Sequence, residues 1–404
     1  MNDLESRQTS RDGSAYGRPP QHSNPLLTEV GPGTPCGELM RRYWQPIAAS
    51  AQVGDVPRKV KVLGEELVLF RDKSGRAGLL YPRCMHRGTS LYYGRIESEG
   101  IRCCYHGWLF DVQGRCLDQP CEPDGGRHRD QARQPWYPVE ERYGLVFAYM
   151  GPLEKKPVLP RYDNLETLGA DEVMLSVVGG FGSTGDGSLE VVPYSWLHMN
   201  DNVMDPFHVM VLHTTFSGVQ FHQQFAVMPK VDFYYADHGV CYSAVRELEG
   251  GQEVDRISSW LMPNIMSVPD IRFKAGYSDL VSWVVPVDDS HYIQACAMKL
   301  PKSLDVKDFA LRNNGKTWGE MTEAERQRFP GDFEAQSGQG PISLHSEEHL
   351  VTSDRGIMLQ RRLLEKQIEL VREGGDPGGV HFDAATALVH VRSGNFYRPA
   401  RAAG

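Results

Sequence analysis

Two short segments carry the residues best suited to chemistry: Cys84-Met85-His86 and, sixteen residues later, Cys103-Cys104-Tyr105-His106. Each half offers one thiolate and one imidazole. Two such halves suit a [2Fe-2S] cluster held asymmetrically, with Cys84 and Cys103 on one iron and His86 and His106 on the other. Neutral imidazoles in place of thiolates reduce the negative charge and raise the potential, to about −150 to +300 mV in centres of this kind, giving a one-electron relay. With 8 Cys and 14 His in 404 residues, four donors at preset positions arise by chance on the order of 10⁻⁴ per chain. Zinc also takes two Cys and two His, but its ribbons and fingers group them as C-x₂₋₄-C and H-x₃₋₅-H pairs.

The histidines are followed by Arg87-Gly88 and Gly107-Trp108, so the segments read C-M-H-R-G and C-C-Y-H-G-W. Glycine at each turn lets backbone N–H groups approach the cluster sulfurs. Trp108 can cover one side or serve as a core aromatic. With these residues the segment resembles the Rieske domain of the ring-hydroxylating oxygenases. Cys104 departs from the proline common there; Cys103 keeps the C-x₂-H spacing and is preferred as ligand. High-potential Rieske proteins bridge their loops by a disulfide at the positions of Thr89 and Tyr105, so the resemblance implies the lower-potential oxygenase type.

A second constellation lies at Asn200-Asp-Asn-Val-Met-Asp-Pro-Phe-His208 and His213. Two imidazoles and a carboxylate on one face of Fe(II) leave positions open for O₂ beside substrate. A regular helix turns 100° per residue, so histidines five apart point about 140° away from each other. The helix must deform near the metal or end before His213. Taken alone, two histidines five residues apart are commonplace. Downstream of a Rieske segment, D-x-x-H-x₄-H resembles the mononuclear-iron motif of Rieske oxygenases. The likeness extends to Gly31-Pro-Gly-Thr-Pro35 with Arg41-Arg-Tyr-Trp44, and to Gly338-Gln-Gly-Pro-Ile342, Glu347-Glu-His-Leu350 and Arg361-Arg362. It is nearest the phthalate-dioxygenase and aryl O-demethylase type.

That resemblance implies several roles. Asp205 would bridge His208 to a cluster histidine of the neighbouring subunit, matched by His106, so that electrons cross between chains of a head-to-tail homotrimer or a multiple of it. Its plain alternative is a helix cap before Pro206. Asn202 matches an amide lining the iron site. Asp332 best matches the third ligand, with Glu334 and Asp354 as competitors. The implied cofactors are the [2Fe-2S] Rieske cluster and mononuclear Fe(II). NADH would act indirectly, because no dinucleotide fingerprint is evident, through a separate flavin and iron-sulfur reductase. The implied reaction uses O₂ to hydroxylate or O-demethylate an aromatic acid. The alternatives are ring cis-dihydroxylation, or an electron-transfer protein without oxygenase chemistry.

The rest of the chain must position these groups. Hydrophobic content of 40% and net charge of −9 describe an ordinary globular chain and argue against nucleic acid or an anionic membrane as partner. Eight cysteines, half of them in or beside the cluster loops, fit the cytoplasm. The polar N-terminal segment shows neither an apolar signal stretch nor a run long enough to span a bilayer. Three units are expected: a disordered segment 1–25, a Rieske domain 26–160 with a helix at its start, and a mononuclear-iron domain 161–404. Gly37–Trp44 reads as a helix stopped before Pro46. Strand patterns follow at Lys59–Leu63, Glu66–Phe70, Ala77–Tyr81 and Tyr143–Tyr149, with prolines 152, 157 and 160 marking a linker. Further strands are expected at 172–178, 230–235, 239–247, 255–261, 271–273, 280–285 and 291–298, and an amphipathic helix from Ser353 to Glu373. The fold class is α+β: a small antiparallel β domain, then an antiparallel sheet wrapped around long helices in helix-grip, START-like fashion. Lys230, Arg246, Arg256 and Arg272 are the cations available to face an acidic substrate.

Overall fold

The computed structural model describes Ala15 and residues 18–180, 188–304 and 313–399. The N-terminal lobe holds two four-stranded antiparallel sheets. One joins Arg58–Val62, Glu65–Arg71, Ala77–Leu80 and Trp136–Tyr137; the other joins Arg95–Glu97, Gly100–Arg102, Leu109–Phe110 and Cys116–Asp118. The two sheets and their loops enclose a small core between them, centred on Val68, Phe70, Leu80, Leu91, Ile101 and Phe110, in which Cys84 and Cys103 are also buried. Gly100 is required there, since a Cβ would lie 1.9 Å from the Phe110 carbonyl oxygen across the ladder.

The C-terminal lobe is built on a nine-stranded sheet whose main path runs Glu172–Gly179, His291–Pro301, Leu280–Asp288, Ile265–Ser267, Gln252–Leu261, Gly239–Leu248 and Lys230–Ala236, all antiparallel. Helices Trp196–Val203 and Arg355–Arg372 pack against it. Leu364, Ile368 and Val371 of the longer helix are buried at the expected spacing, and Gly374, at φ +87°, ends it. Strand Leu280–Asp288 is buried along nearly its whole length because the N-terminal lobe covers what the helices do not. The backbone N–H groups of Leu63 and Gly64 donate to the carbonyls of Pro286 and Val287, each at 2.9 Å. One core therefore runs through both lobes, from Val62 and Leu79 to Trp283 and Tyr292.

Some expectations change. The early helix spans Pro35–Met40, and Trp44 instead opens a strand, Trp44–Ala49, that contains Pro46. This is an edge strand of its three-stranded sheet, where a proline without N–H is tolerated. Residues 271–273 form a turn rather than a strand. Asp270 Oδ1 accepts from the Arg272 N–H at 2.7 Å, and Phe273 takes a positive φ of 63° to bury its ring. The proline-marked linker is held in place: Trp44 Nε1 donates to the Pro157 carbonyl, and Arg161–Tyr162 pairs with Leu388–Val389. Within the segment expected to be disordered, His22 and Asn24 bond Ser346 and His345, and Asn24 caps helix Pro25–Thr28. Residues 1–14, 16 and 17 of that segment lie outside the described residues. Among the described residues, no helix is long and apolar enough to cross a membrane.

The long helix fixes the iron-motif helix through one largely buried cation. Arg361 donates to Asp201, beside Asn202, and to both oxygens of Glu348. Gly356 lets the same helix approach closely, since a Cβ there would stand 2.5 Å from the Met204 carbonyl oxygen. Burial raises the Asp201 carboxyl above the usual carboxylate range against the pull of Arg361. Arg361→Leu leaves two largely buried carboxylates without their cation, so a loss of about 3–5 kcal/mol is expected. Urea unfolding of the variant measures it; a change below about 1 kcal/mol contradicts the assignment of Arg361 as the tie.

Candidate metal centres

The two cluster loops are built alike. In the first, Cys84 N–H donates to the Thr89 carbonyl at 2.9 Å, and Gly88 N–H donates to the Cys84 carbonyl at 2.7 Å. In the second, Cys103 pairs with Trp108 at 2.9 Å, and Gly107 with Cys103 at 3.1 Å, in the same pattern. Gly88 and Gly107 both need positive φ, 78° and 75°. Cys84 and Cys103 are buried, whereas Cys104 is exposed. Burial and the neighbouring Cys103 push the Cys84 thiol up to about 12. His86 and His106 lie toward the surface with ring centroids 4.5 Å apart, and Trp108 stacks flat on His86, at 4.5 Å and 5°. Cys116 and Cys121 are free thiols.

Two residues that the sequence reading passed over hold these loops. Gln134, fully buried, accepts from Met85 N–H and donates to the carbonyls of Tyr81 and Arg83. Arg102 pairs with Glu97 and Asp118 and donates to the Gly107 carbonyl. The four cluster donors do not converge on one point. Among the described residues, the only trio with donor atoms within 4.8 Å of one another is His208, His213 and Asp332. A zinc ion needs its donors about 2.0–2.3 Å away, hence mutually close. The wider spread suits a two-iron group.

The second centre forms where helix Trp196–Val203 ends. Asp205 precedes Pro206, a position that disfavours helix, and the chain restarts at His208–Met210. It then widens into a π-turn over Val211–Phe216. An i→i+5 turn brings residues five apart round to the same side. The deformation expected from the H-x₄-H spacing is thus present, and the two rings lie 5.4 Å apart. Asp332, at the start of helix Asp332–Ser337, reaches in so that its Oδ1 is 3.2 Å from His213 Nε2 and 3.6 Å from His208 Nε2. Asn202 donates to Asp332 Oδ1 at 3.0 Å and to His208 Nε2 at 3.3 Å. Burial opposes charge on Asp332, yet the two imidazoles and Asn202 hold its carboxyl far below the usual range. Burial likewise works against a charged His208, but Asp205 and Asp332 outweigh it. The pocket favours positive charge, which the donor set of two imidazoles and one carboxylate would accept as a cation.

Each imidazole is oriented from behind. Asp205 Oδ2 stands 3.5 Å from His208 Nδ1, while its Oδ1 caps the N–H groups of Phe207 and His208. Cap and histidine partner are therefore both roles of this residue. His213 Nδ1 meets Gln220 Oε1 at 2.7 Å, and Gln220 in turn donates to the Pro330 carbonyl, two residues before Asp332. Gln220 carried no sequence signal beyond its nearness to His213. Of the competitors, Glu334 binds Trp318 Nε1 and the Gly331 N–H, and Asp354 caps Val351; neither joins the trio. Among the four cations, Lys230 pairs with Glu247 and Arg272 with Asp270 at the surface, whereas Arg246 and Arg256 are buried.

Comparison with known proteins agrees with this layout. A family described as the Rieske [2Fe-2S] domain matches residues 43–138. The chain is 58% identical over 386 residues to the phenoxybenzoate dioxygenase subunit alpha of Ectopseudomonas oleovorans, covering 95% of this chain and 94% of that one. It is 33% identical to the 5,5'-dehydrodivanillate O-demethylase oxygenase subunit of a Sphingobium strain, covering 90% and 83%. Two solved structures share the fold: Pseudomonas putida CBB5 NdmB, with a TM-score of 0.61 at 20% identity over 87% of this chain and 96% of that one, and dicamba monooxygenase, with 0.59 at 16% over 82% and 98%. Paired Cys-His loops upstream, a large antiparallel sheet downstream and identity along almost the whole length lead to one assignment: the chain belongs to the Rieske non-haem iron oxygenases, as a terminal oxygenase (alpha) subunit.

Proposed function

We propose that His208, His213 and Asp332 hold a single Fe(II), and that Cys84, His86, Cys103 and His106 hold the Rieske cluster that feeds it. The observation that carries this reading is the convergence of the trio within 4.8 Å at a π-widened turn. When bound, the cluster supplies single electrons and the iron supplies open positions for O₂ beside substrate. The chain's own residues do the positioning. Gln220 fixes the His213 tautomer by accepting from Nδ1, which leaves Nε2 for a metal; Asp205 Oδ2, 3.5 Å from His208 Nδ1 and just beyond hydrogen-bond geometry, is the carboxylate placed to do so for His208. Asn202 lies against both His208 and Asp332, where its amide can orient them.

Asp205 has a second part in this reading. It links His208 to the cluster histidine of a neighbouring chain, matched by His106, in a head-to-tail homotrimer or a multiple of it. The partial exposure of His86 and His106 supports electron delivery across a subunit boundary, since an imidazole sealed inside its own lobe could not meet another chain. Electrons enter from NADH through a separate flavin and iron-sulfur reductase, which places the enzyme in the cytoplasm. The substrate is an aromatic acid carrying an ether, in keeping with the two relatives named for phenoxybenzoate and for O-demethylation of dehydrodivanillate. Hydroxylation of an ether carbon gives a hemiacetal that breaks down; attack on adjacent ring carbons gives a cis-diol.

Three measurements test the reading. Purified enzyme should contain about three irons and two acid-labile sulfides per chain, and Asp332→Ala about two of each, with an unchanged Rieske EPR signal and turnover lost. Retention of the third iron in that variant removes Asp332 from the ligand set. Asp205→Asn should keep both metals yet slow turnover by about 10–100-fold; undiminished turnover ends the bridging role. A panel of phenoxybenzoates, methoxylated aromatic acids and phthalates, supplied with NADH, reductase and O₂, should yield diol, phenol or formaldehyde from at least one acid. Consumption of none of them overturns the substrate class.

A further inference from the structure

Arg246 and Arg256 sit on adjacent strands, Gly239–Leu248 and Gln252–Leu261. In the register, Ala244 faces Arg256, Arg246 faces Val254 and Tyr242 faces Ser258. Residues two apart share a sheet face, so these six side chains lie together. Trp260 continues the same face and donates from Nε1 to Asn200 of the iron-motif helix at 2.8 Å. The face therefore looks toward the elements that carry the trio.

Two buried guanidinium groups side by side need an explanation, since neither forms an ion pair among the described residues. Arg256 is satisfied by neutral oxygens: it donates to the carbonyls of Pro269 and Asp270 and to Asn395 Oδ1. Burial pushes it down to about 10. Arg246 is different. Only 2% exposed, it uses Nε on the Val227 carbonyl at 3.0 Å, and its Nη1 is buried without a partner among the described residues. Ser258 Oγ, on the same face four residue pairs along the ladder, is also buried and, among the described residues, unpartnered. An unpaired buried charge costs several kcal/mol, more so beside a second cation.

The path from Arg246 to the trio is aromatic. Its guanidinium lies 5.4 Å from the Phe225 ring centre; Phe225 and Phe221 are 6.0 Å apart; and Phe221 lies 4.1 Å from His213. Val209, next to His208, packs into the same cluster. We propose that Arg246 is the carboxylate anchor of the substrate site, gripping an aromatic acid whose rings extend along Phe225 and Phe221 toward His213. A carboxylate there would supply the missing partner of Nη1 through a charge-assisted, two-pronged contact, and would offset the neighbouring charge of Arg256. The inference rests on the reading of the chain as an oxygenase of aromatic acids.

Calorimetric titration of the holoenzyme with a phenoxybenzoate and with its uncharged amide tests the anchor. The wild-type protein should bind the acid at least about tenfold more tightly than the amide. Arg246→Gln should weaken the acid about thirtyfold and the amide less than about threefold. Arg246→Lys should fall between, because it keeps the charge but loses the fork. Equal loss of both probes in Arg246→Gln, or unchanged acid binding, overturns the anchor. Should that variant not fold, equal wild-type affinity for acid and amide overturns it instead. The two readings separate cleanly: turnover of the acid with unaltered binding in Arg246→Gln removes only the anchor, whereas wild-type enzyme that neither binds nor oxidises any aromatic acid removes both.

Discussion

Two imidazoles five residues apart cannot face one ion from a regular α-helix, and the chain from Trp196 to Gln220 is shaped by that restriction. Asp205-Pro206 breaks the first helix, a single α-turn restarts at His208, and the π-turn over Val211–Phe216 brings His213 round. Thr214 and Thr215 return their hydroxyls to the Met210 carbonyl, back-bonding of the kind that accompanies a bent helix. Asp332 then approaches from 119 residues away. Its helix stays in place because Gln220 and Ser217 both hold the Pro330 carbonyl just ahead of it. Histidine tautomer and carboxylate position are thus set by one small group of side chains.

The lobes divide the labour by burial. Cys84 and Cys103 lie inside a compact core, and His86 and His106 lie toward solvent. In the other lobe all three members of the trio are shielded by helices and sheet. Strand Leu280–Asp288 is common to both and carries the backbone contacts from Leu63 and Gly64. The core shared by both lobes thus joins the sheet beside the first centre to the sheet beneath the second.

How much of this was legible depended on how local the signal was. The proposed cluster ligands lie within 23 residues, with glycines after both histidines, so composition and spacing were enough to nominate them. Strand and helix limits also came close, as in Arg355–Arg372, where the apolar repeat follows the buried face. Pro46 misled because an edge strand tolerates proline, and Ile271–Phe273 because a β-like composition lay behind a turn-forming Asp270. Asp332 was reached only through resemblance, for no pattern around it distinguishes a ligand from a helix-start acid. Gln220, Gln134 and Arg246 act through contacts that exist only after folding. Nothing in a linear chain separates the buried Arg246 from the paired, exposed Lys230.

Gln134 has a consequence for how small a cluster-bearing fragment can be. Both loops lie between residues 82 and 110, yet the first is clamped by an amide that enters from far downstream and bonds Tyr81, Arg83 and Met85 at once. Strand Trp136–Tyr137, immediately after it, completes the sheet that carries the first loop. A peptide trimmed to the two loops would lack its lock, and the shortest autonomous iron-sulfur module must extend through Tyr137.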